Sequence, residues 1–587
     1  MSHWSIPSTA HLEEWKTYAA VGVGTVVAAN LAVKLIRKTV FVPSMTIMDD
    51  VPNAGKDRPD GKLKGRAVVC GGSIAGLLAA AVCAHHFDSV LVIEAEGSIE
   101  ELGIDFPKER ETRIMENGLA TAIPPRKRVP QYLALHGFLP TFLHSLRQLF
   151  PQVHKEMEYF GIYAYPMIIK FYQGSILSPE IFERDDPTAP KTLPISREAF
   201  ETLLRRLVVK YRSNITFITG TVEGYQGAED GSKTVTGVRV RTAGGEKLVE
   251  SADFVIDATG PAHQSYHKWL KNAGFGPLPQ SLRIEYDPHI VYSQSLWTIP
   301  EKLLPEVEAV LPYGSQPGFF YVNSPDWAVG QQMAMYMGLM EGSQLIVSAA
   351  GWGVTAEQLP HSIQEFRAYA QTLHQSKTPD WINKLFDILE THEEECRPWW
   401  VEPPSGRMSF VKYHEAPKGT LPDNWVAVGD AISKLNPVYG QGCTKAMMDA
   451  ITLDALLRHV PSNQVISSGF SGKFFHKSIA RSGGMWYGHL YPSAISPSAV
   501  SDQRSGCFIR DGTKSADYGW PTTEPSNGEK LSEGAFGRHF SRHLLIAGRK
   551  SRRILLAWQL TIWGFVPSTD LFAPSILGRV AWNWLTN

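Results

Sequence analysis

The stretch Arg66-Ala67-Val68-Val69-Cys70-Gly71-Gly72-Ser73-Ile74-Ala75-Gly76 decides the fold. Arg66 to Cys70 reads as a short apolar strand, Leu77 to His86 as a helix, and Ser89 to Glu94 as a second strand. This strand, turn, helix, strand order is the context that a dinucleotide-binding turn requires, with a parallel sheet behind it. Gly71 permits the tight turn out of the strand. Gly72 and the small Ser73 follow it, and a small side chain at 73 lets the backbone approach a pyrophosphate. Gly76 lets the helix pack closely on the sheet, and the helix N-terminus offers free amides and the positive end of its dipole. Ser73 stands where the middle glycine of GxGxxG is expected; serine is small, yet it cannot take every glycine backbone angle. Glu94 ends the second strand, 18 residues after Gly76. A carboxylate there accepts hydrogen bonds from ribose hydroxyls and disfavours a 2′-phosphate.

Two further segments share this character. Val255-Ile256-Asp257-Ala258-Thr259-Gly260 is a strand ending in a small-residue turn, with Asp257 at the strand end. Trp425 to Val428 is a strand followed by Gly429-Asp430-Ala431, and Asn436-Pro437-Val438-Tyr439-Gly440-Gln441-Gly442 then leads into a helix from Cys443. Asp430 is placed to hydrogen-bond a ribose or ribityl hydroxyl. The loop through Gly440 and Gly442 delivers a helix N-terminus that can stabilise developing negative charge. Short strands are expected at Ile215 to Gly220, Val222 to Tyr225 and Gly237 to Arg241. Phe319 to Val322, Gln332 to Leu339 and Gln344 to Ala349 suggest an antiparallel sheet of different character. Beyond about residue 460 the pattern is helical.

The remaining features bound the function. The 587-residue chain, 43% hydrophobic and 20% charged, is long enough for two or more cores. A formal net charge of -1, with no basic run bearing interleaved aromatics, argues against nucleic-acid binding. The five cysteines show no CxxC pair and no Cys/His cluster, so neither a metal site nor a disulfide framework is expected. Tyr18 to Val33 is almost wholly apolar and is followed by Lys34, Arg37 and Lys38. Residues 1–42 are expected to form a single-pass N-terminal anchor with the body on the cytoplasmic side, such as at the endoplasmic reticulum. The alternative is a packed helix in a cytoplasmic protein. Residues 43–65 read as a polar linker, and Thr513 to Lys530 as an exposed insert. Ile554 to Val566, closed by Pro567, is too short to span a bilayer; it reads as a packed helix, or one dipping into a membrane surface. The sequon Asn214-Ile215-Thr216 opens an expected strand and reads as chance.

The three segments, in order and at these separations, resemble the group A flavoprotein monooxygenases, the para-hydroxybenzoate hydroxylase superfamily. The nearer likeness is to the branch of FAD-dependent epoxidases of polyketide and terpenoid pathways. Arg128-Val129-Pro130-Gln131 followed by His136, Ser196-Arg197-Glu198 opening a helix, and Asn436 to Gly442 carry it, with Cys443 where that branch has methionine. The likeness spans about residues 66–460. It implies an α/β fold: a Rossmann-type FAD-binding domain (about 66–165, 192–262 and 405–460) interleaved with an antiparallel-sheet substrate domain (about 166–191 and 263–404), then a C-terminal helical region, 461–587. It implies that Gly71, Gly72, Ser73, Gly76 and Glu94 hold the ADP half and that Val222 holds adenine through its backbone. Arg126 or Arg128, Gln131 and Arg197 would lie near the flavin or pyrophosphate. Asp257 would lie among the cofactor contacts and Asp430 would hold the ribityl chain. Pro437, Gly440 and Gly442 would stand beside the isoalloxazine. NAD(P)H would act as a transient reductant without a second nucleotide fold, consistent with Gly351-Trp352-Gly353-Val354 lacking a third glycine. The chemistry implied is oxygen transfer from O2 through a flavin C4a-hydroperoxide.

The substrate is far less constrained. No residue marks a base that would deprotonate a phenol, whereas an epoxidase needs only an apolar pocket that aims an alkene. The apolar N-terminal segment and second half favour a small hydrophobic secondary metabolite, a polyketide or terpenoid, oxygenated with or without rearrangement. Three alternatives stand beside it: a phenol hydroxylase, a flavin-dependent halogenase and a non-catalytic scaffold of the same fold. Ser295-Leu296-Trp297-Thr298-Ile299-Pro300 matches only half of the halogenase WxWxIP. The intact glycine segments argue against the scaffold.

Overall fold

The computed structural model describes residues 9–487, apart from 106–111, 115–118, 123–125, 130, 184–185, 262–265, 287–289, 315–316, 325–332, 353, 404–405, 438–439, 463–465 and 467. It also describes 508–509, 521–522, 540, 543–544, 546–548 and 551–586. Pro130, Val438, Tyr439, Gly353, most of the 513–530 insert and Cys507 lie outside the described residues.

Helix α1 (Thr9–Ile36) leads into a single π-helical turn at Arg37–Phe41. The segment expected to be a free linker, 43–65, is instead folded against the body. Its few apolar residues, Ile47, Val51, Ala54 and Leu63, are buried. Arg58 donates to the carbonyls of Leu457 and Val460. Its polar composition hid these anchors.

The chain then builds β1 (Leu63–Cys70), α2 (Ile74–His86), β2 (Phe87–Glu94), α3 (Arg197–Tyr211), β3 (Ile215–Gly227), β4 (Val235–Thr242), β5 (Lys247–Ser251) and β6 (Phe254–Asp257). β1 pairs in parallel with β2 on one side and β6 on the other, and β2 pairs in parallel with β3. The chain therefore reverses its direction of winding at β1. In an open parallel sheet, ligands bind outside the carboxyl ends of the strands at such a switch point. The β1 strand is buried from Ala67 to Cys70, as expected of an apolar run covered on both faces. α2 is buried at every position except Ala75, which explains why its sequence has no polar face. Asn214 donates its side-chain amide to the carbonyls of Ala84 and Phe87, tying the end of α2 to β3.

A second sheet carries β7 (Ile290–Thr298), β8 (Gly318–Ser324), β9 (Met333–Met340) and β10 (Gln344–Trp352). The order is β7, β10, β9, β8, all antiparallel; Trp399–Val401 lies outside β7, and Lys170–Gln173 pairs in parallel with β8. Its two faces differ, as strand alternation requires. Trp297, Met335, Met337, Leu345 and Val347 pack on the helices Ile363–Leu373 and Asp380–Thr391. Tyr292, Gln294, Ser348 and Tyr336 occupy the opposite face, because Gln294 pairs with Ser348 and Ser348 with Tyr336. Trp352 ends β10 and is buried.

The chain returns to the first sheet as β11 (Trp425–Ala427), parallel to β6, and continues into α4 (Gly442–Leu457), which packs on α2. The doubly wound α/β domain, interleaved antiparallel sheet and C-terminal helices are as expected from the sequence. In the last region α5 (Arg552–Ile562) buries Ile554, Leu555, Trp558 and Ile562, so one face of it is packed on the body. A further helix, α6 (Pro574–Thr586), follows within the region expected to be helical. The single-pass anchor finds no support: among the described residues no helix is long and apolar enough to cross a membrane.

Candidate functional site

The carboxyl ends of β1, β2, β6 and β11 lie at one edge of the parallel sheet, and backbone geometry fixes the turns there. Gly71 has φ of 110°, and a Cβ there would lie 2.6 Å from the Ala258 carbonyl oxygen. A Cβ on Gly76 would lie 1.8 Å from the Gly71 carbonyl oxygen. A Cβ on Gly429, whose φ is 59°, would lie 2.6 Å from the Ala75 Cβ. Three segments far apart in the sequence thus meet here, Gly71 against the Ala258 backbone and Gly429 against the Ala75 methyl, at distances that only glycine allows. The N-terminus of α2 has no side-chain cap at Ser73, leaving its first-turn amides available to an anion.

Charge is concentrated along one wall. The Glu94 Oε2 accepts the Gly72 N–H at 2.9 Å and an Arg126 N–H at 2.8 Å, while Oε1 accepts the amides of Ala95 and Glu96. Arg126 is buried and also pairs with Glu96 at 3.0 Å and with Glu201. Glu201 pairs in turn with Arg205 at 3.1 Å and accepts from the Ser73 hydroxyl at 3.0 Å. Burial pushes the Glu201 carboxyl up, but Arg126, Arg197 and Arg205 together draw it below the usual carboxylate range. Arg197, the first residue of α3 after its Ser196 cap, donates to the Ser73 hydroxyl and to the His136 Nε2, each at 3.1 Å. His136 Nδ1 lies 2.7 Å from the Ala134 carbonyl. The pairing fixes the tautomer: Nδ1 carries the proton and Nε2 accepts. Burial, then Arg197, hold its pKa down at about 3, so the ring is neutral.

The third segment is held from behind. Asp449 accepts the Gly429 N–H at 2.9 Å and the Lys445 ammonium at 2.7 Å, and Lys445 also reaches the Gly429 carbonyl at 2.9 Å. Asp430 follows in the same turn and is half-buried. Its pKa is raised, chiefly by burial and against the pull of Lys445, Lys434 and Arg197. Gly440, with φ of 60°, lies so near Gly137 that a Cβ on Gly137 would be 3.1 Å from the Gly440 carbonyl oxygen. A Cβ on Gly442, the first residue of α4, meets nothing within 4 Å.

Opposite stands the inner face of the second sheet. Gln294 accepts the Leu135 N–H at 2.9 Å, and Leu133 and Leu135 pack with Leu296, Ile346 and Trp399. The sheet is thereby locked to the 131–137 segment that also touches Gly440. Two residues along β7, Tyr292 has a buried hydroxyl with no hydrogen-bond partner among the described residues. The residue as a whole is half-buried. Burial raises the pKa of both Tyr292 and Tyr336 above the ordinary phenol value, keeping both hydroxyls neutral. Trp297, from the partial halogenase-like run, points to the opposite face and donates to the Ser295 hydroxyl at 2.9 Å.

Gly71, Gly72, Ser73, Gly76, Glu94, Arg126, Arg197, Asp430, Gly440 and Gly442 gather near the carboxyl edge of the first sheet. The Pro437 carbonyl accepts the Gly440 N–H, at 3.0 Å. Val222 lies on β3 beyond Thr219, the residue paired with Glu94. Gln131 is half-buried at the start of the segment that carries His136. Two residues sit differently from the rest. The Arg128 side chain is exposed and only its backbone N–H engages, with Glu96. Asp257 spends its carboxylate on the Tyr225 hydroxyl at 2.9 Å and on the amide and hydroxyl of Thr259, shaping the turn. The sequence did not single out Glu96, Glu201, Arg205, Gln294 or Tyr292. Only the placement of Glu201 four residues after Arg197 gave a local signal.

The donor set fits FAD: a glycine-lined turn and an open helix end for the pyrophosphate, a strand-end carboxylate for ribose, and a second open helix end at Gly442 for the ring system.

No protein-family model matches the chain. It is 27% identical over 403 residues to protein Rv3254 of Mycobacterium tuberculosis, covering 66% of this chain and 72% of that protein. Among solved structures, Pseudomonas aeruginosa PqsL in complex with 2-aminobenzoylacetate matches at 14% identity and a TM-score of 0.49, covering 76% of this chain and 98% of that one. The myxobacterial chondrochloren halogenase CndH matches at 16% identity and a TM-score of 0.49, covering 86% and 99%.

Proposed function

We propose that the chain is an FAD-dependent, NAD(P)H-using monooxygenase that places one atom of O2 into a small hydrophobic molecule. The observation that carries this reading is the meeting of the glycine turn after β1, Glu94, Arg197, Asp430 and the α4 N-terminus in one cleft at the switch point of the sheet. In overall balance, substrate, O2, NAD(P)H and a proton give oxygenated substrate, water and NAD(P)⁺. Bound FAD supplies hydride acceptance and oxygen activation.

The protein's share is to bind, orient and exclude water. Glu94 receives ribose hydroxyls, and the open first turn of α2, with Arg197 beside it, receives the pyrophosphate. The Gly442 amide end of α4 faces developing negative charge on the flavin ring. The inner face of the second sheet, with Leu296, Ile346 and Ala350 around Tyr292 and Tyr336, gives an apolar wall with neutral hydroxyls. That wall suits alkene epoxidation of a polyketide or terpenoid bearing one hydrogen-bond acceptor.

Purified protein is expected to show oxidised-flavin absorbance and to be bleached anaerobically by NADH or NADPH. On admitting O2 with a substrate panel it is expected to give products heavier by one oxygen. Protein that neither carries nor takes up FAD would sink the reading, and halogenated or desaturated products would redirect it. Tyr292→Phe separates function from packing. Deleting a buried hydroxyl without a partner is expected to stabilise the fold by up to about 1–2 kcal/mol. Turnover is expected to fall at the same time. A thermal melt and steady-state kinetics check both arms.

A further inference from the structure

The described part of α1 has no covered side. Val21, Val23, Val27, Leu31, Val33, Leu35 and Ile36 are all between 46% and 65% exposed, and they fall at every angle around the helix. A helix that is apolar all round belongs in an apolar medium; a protein groove would cover one stripe and leave polar residues opposite. At the far end of the chain, α6 buries Ile576 and Val580 inward, while Trp582 at 70% and Leu585 at 79% stand outward with Leu577. Tryptophan on such a face is suited to the headgroup level of a bilayer, apolar ring inward and N–H toward water.

The two helices are tied at one corner. Arg37, just after α1, grips Asp570 with both forks of its guanidinium, at 2.8 and 2.7 Å. Asp570 lies in the 3-10 turn Ser568–Phe572 that leads into α6. The surroundings are cationic. Between Glu14 and Asp49 the sequence has Lys16, Lys34, Arg37 and Lys38 and no acid, and after Asp570 its only charged side chain is Arg579. Asp570 is paired with Arg37.

We propose that α1 and α6 together form a docking face for an anionic lipid bilayer, α1 seated among the acyl chains and α6 at the headgroups. The all-round apolarity of α1 and the positive rim commit the occupant to lipid, not to a second copy of this chain. This surface is separate from the cofactor cleft and does not depend on the reading of that site.

The test is flotation of full-length protein with phosphatidylcholine vesicles, with and without phosphatidylserine. Wild-type protein is expected to float with the mixed vesicles and several-fold less with phosphatidylcholine alone. Trp582→Ser/Leu585→Ser and, separately, Val27→Glu/Leu31→Glu are each expected to weaken binding at least about tenfold with unchanged melting temperature. These side chains are exposed, so folding is not at stake. Wild-type protein left at the bottom of the gradient overturns the proposal. Variants floating like wild type overturn it too, as does a lipid-free dimer abolished by the same substitutions in sedimentation velocity.

Discussion

Gly76→Ala is expected to purify without flavin. The added methyl would lie 1.8 Å from the Gly71 carbonyl oxygen, closer than any contact a real carbon makes, and what it meets is backbone. Either the α2 N-terminus retreats from the β1 turn or the turn opens. Both displace the first-turn amides from the place where a pyrophosphate would be held. Loss of that anchoring is expected to weaken FAD by a hundredfold or more, roughly 3 kcal/mol. The melting temperature should also fall, since the same contact packs helix on sheet. Gly442→Ala is the informative partner. A Cβ there meets nothing within 4 Å and the residue opens a helix, so the fold should be untouched. Its methyl still enters the space claimed for the flavin ring, so affinity should drop with an unchanged melt. Flavin content by absorbance and thermal unfolding of both variants check the pair. Gly76→Ala protein retaining stoichiometric flavin would remove the pyrophosphate from this turn.

Why could the turn be read from sequence while its surroundings could not? Gly71, Gly76 and Gly429 answer to local demands: a positive φ, or an approach so close that any side chain clashes. Such demands leave glycine at fixed offsets from strand ends. Glu201 obeys no local demand. It lies within a helix rich in charged residues, where a carboxylate ordinarily means a solvated face; only the docking of Arg126 from another segment buries it. Tyr292 was hidden for another reason. Strand alternation says that Tyr292 and Trp297 face opposite ways, but which face meets the cofactor depends on how two sheets pack. The 43–65 segment misled through composition, because four spaced apolar residues suffice to fold a mostly polar stretch.

Arg126→Met should produce the largest loss of stability of any single change in the charged wall. In the native fold three carboxylates, Glu94, Glu96 and Glu201, converge on this one buried guanidinium. Removing a buried cation while its partners remain leaves uncompensated charge, which typically costs about 3–5 kcal/mol. The sign of the pH dependence follows from the carboxylates. In the native protein Glu201 is held below its ordinary pKa, so its pairing stabilises the fold above the unfolded value near 4.3 and is lost as pH falls through that range. Without Arg126 the crowded carboxylates bind protons more readily in the fold than in the unfolded chain. The variant is therefore penalised most at neutral pH and relieved on acidification. The gap in unfolding free energy between wild type and Arg126→Met should narrow steadily from pH 7 to about pH 4.5. Adding Glu201→Gln to the variant should recover part of the loss at neutral pH, because it deletes one of the stranded charges. Urea titrations of the three proteins across that window decide the matter. A pH-independent gap, or no recovery in the double variant, would mean that Arg126 acts by filling space and that the network does not hold the wall of the cleft through charge.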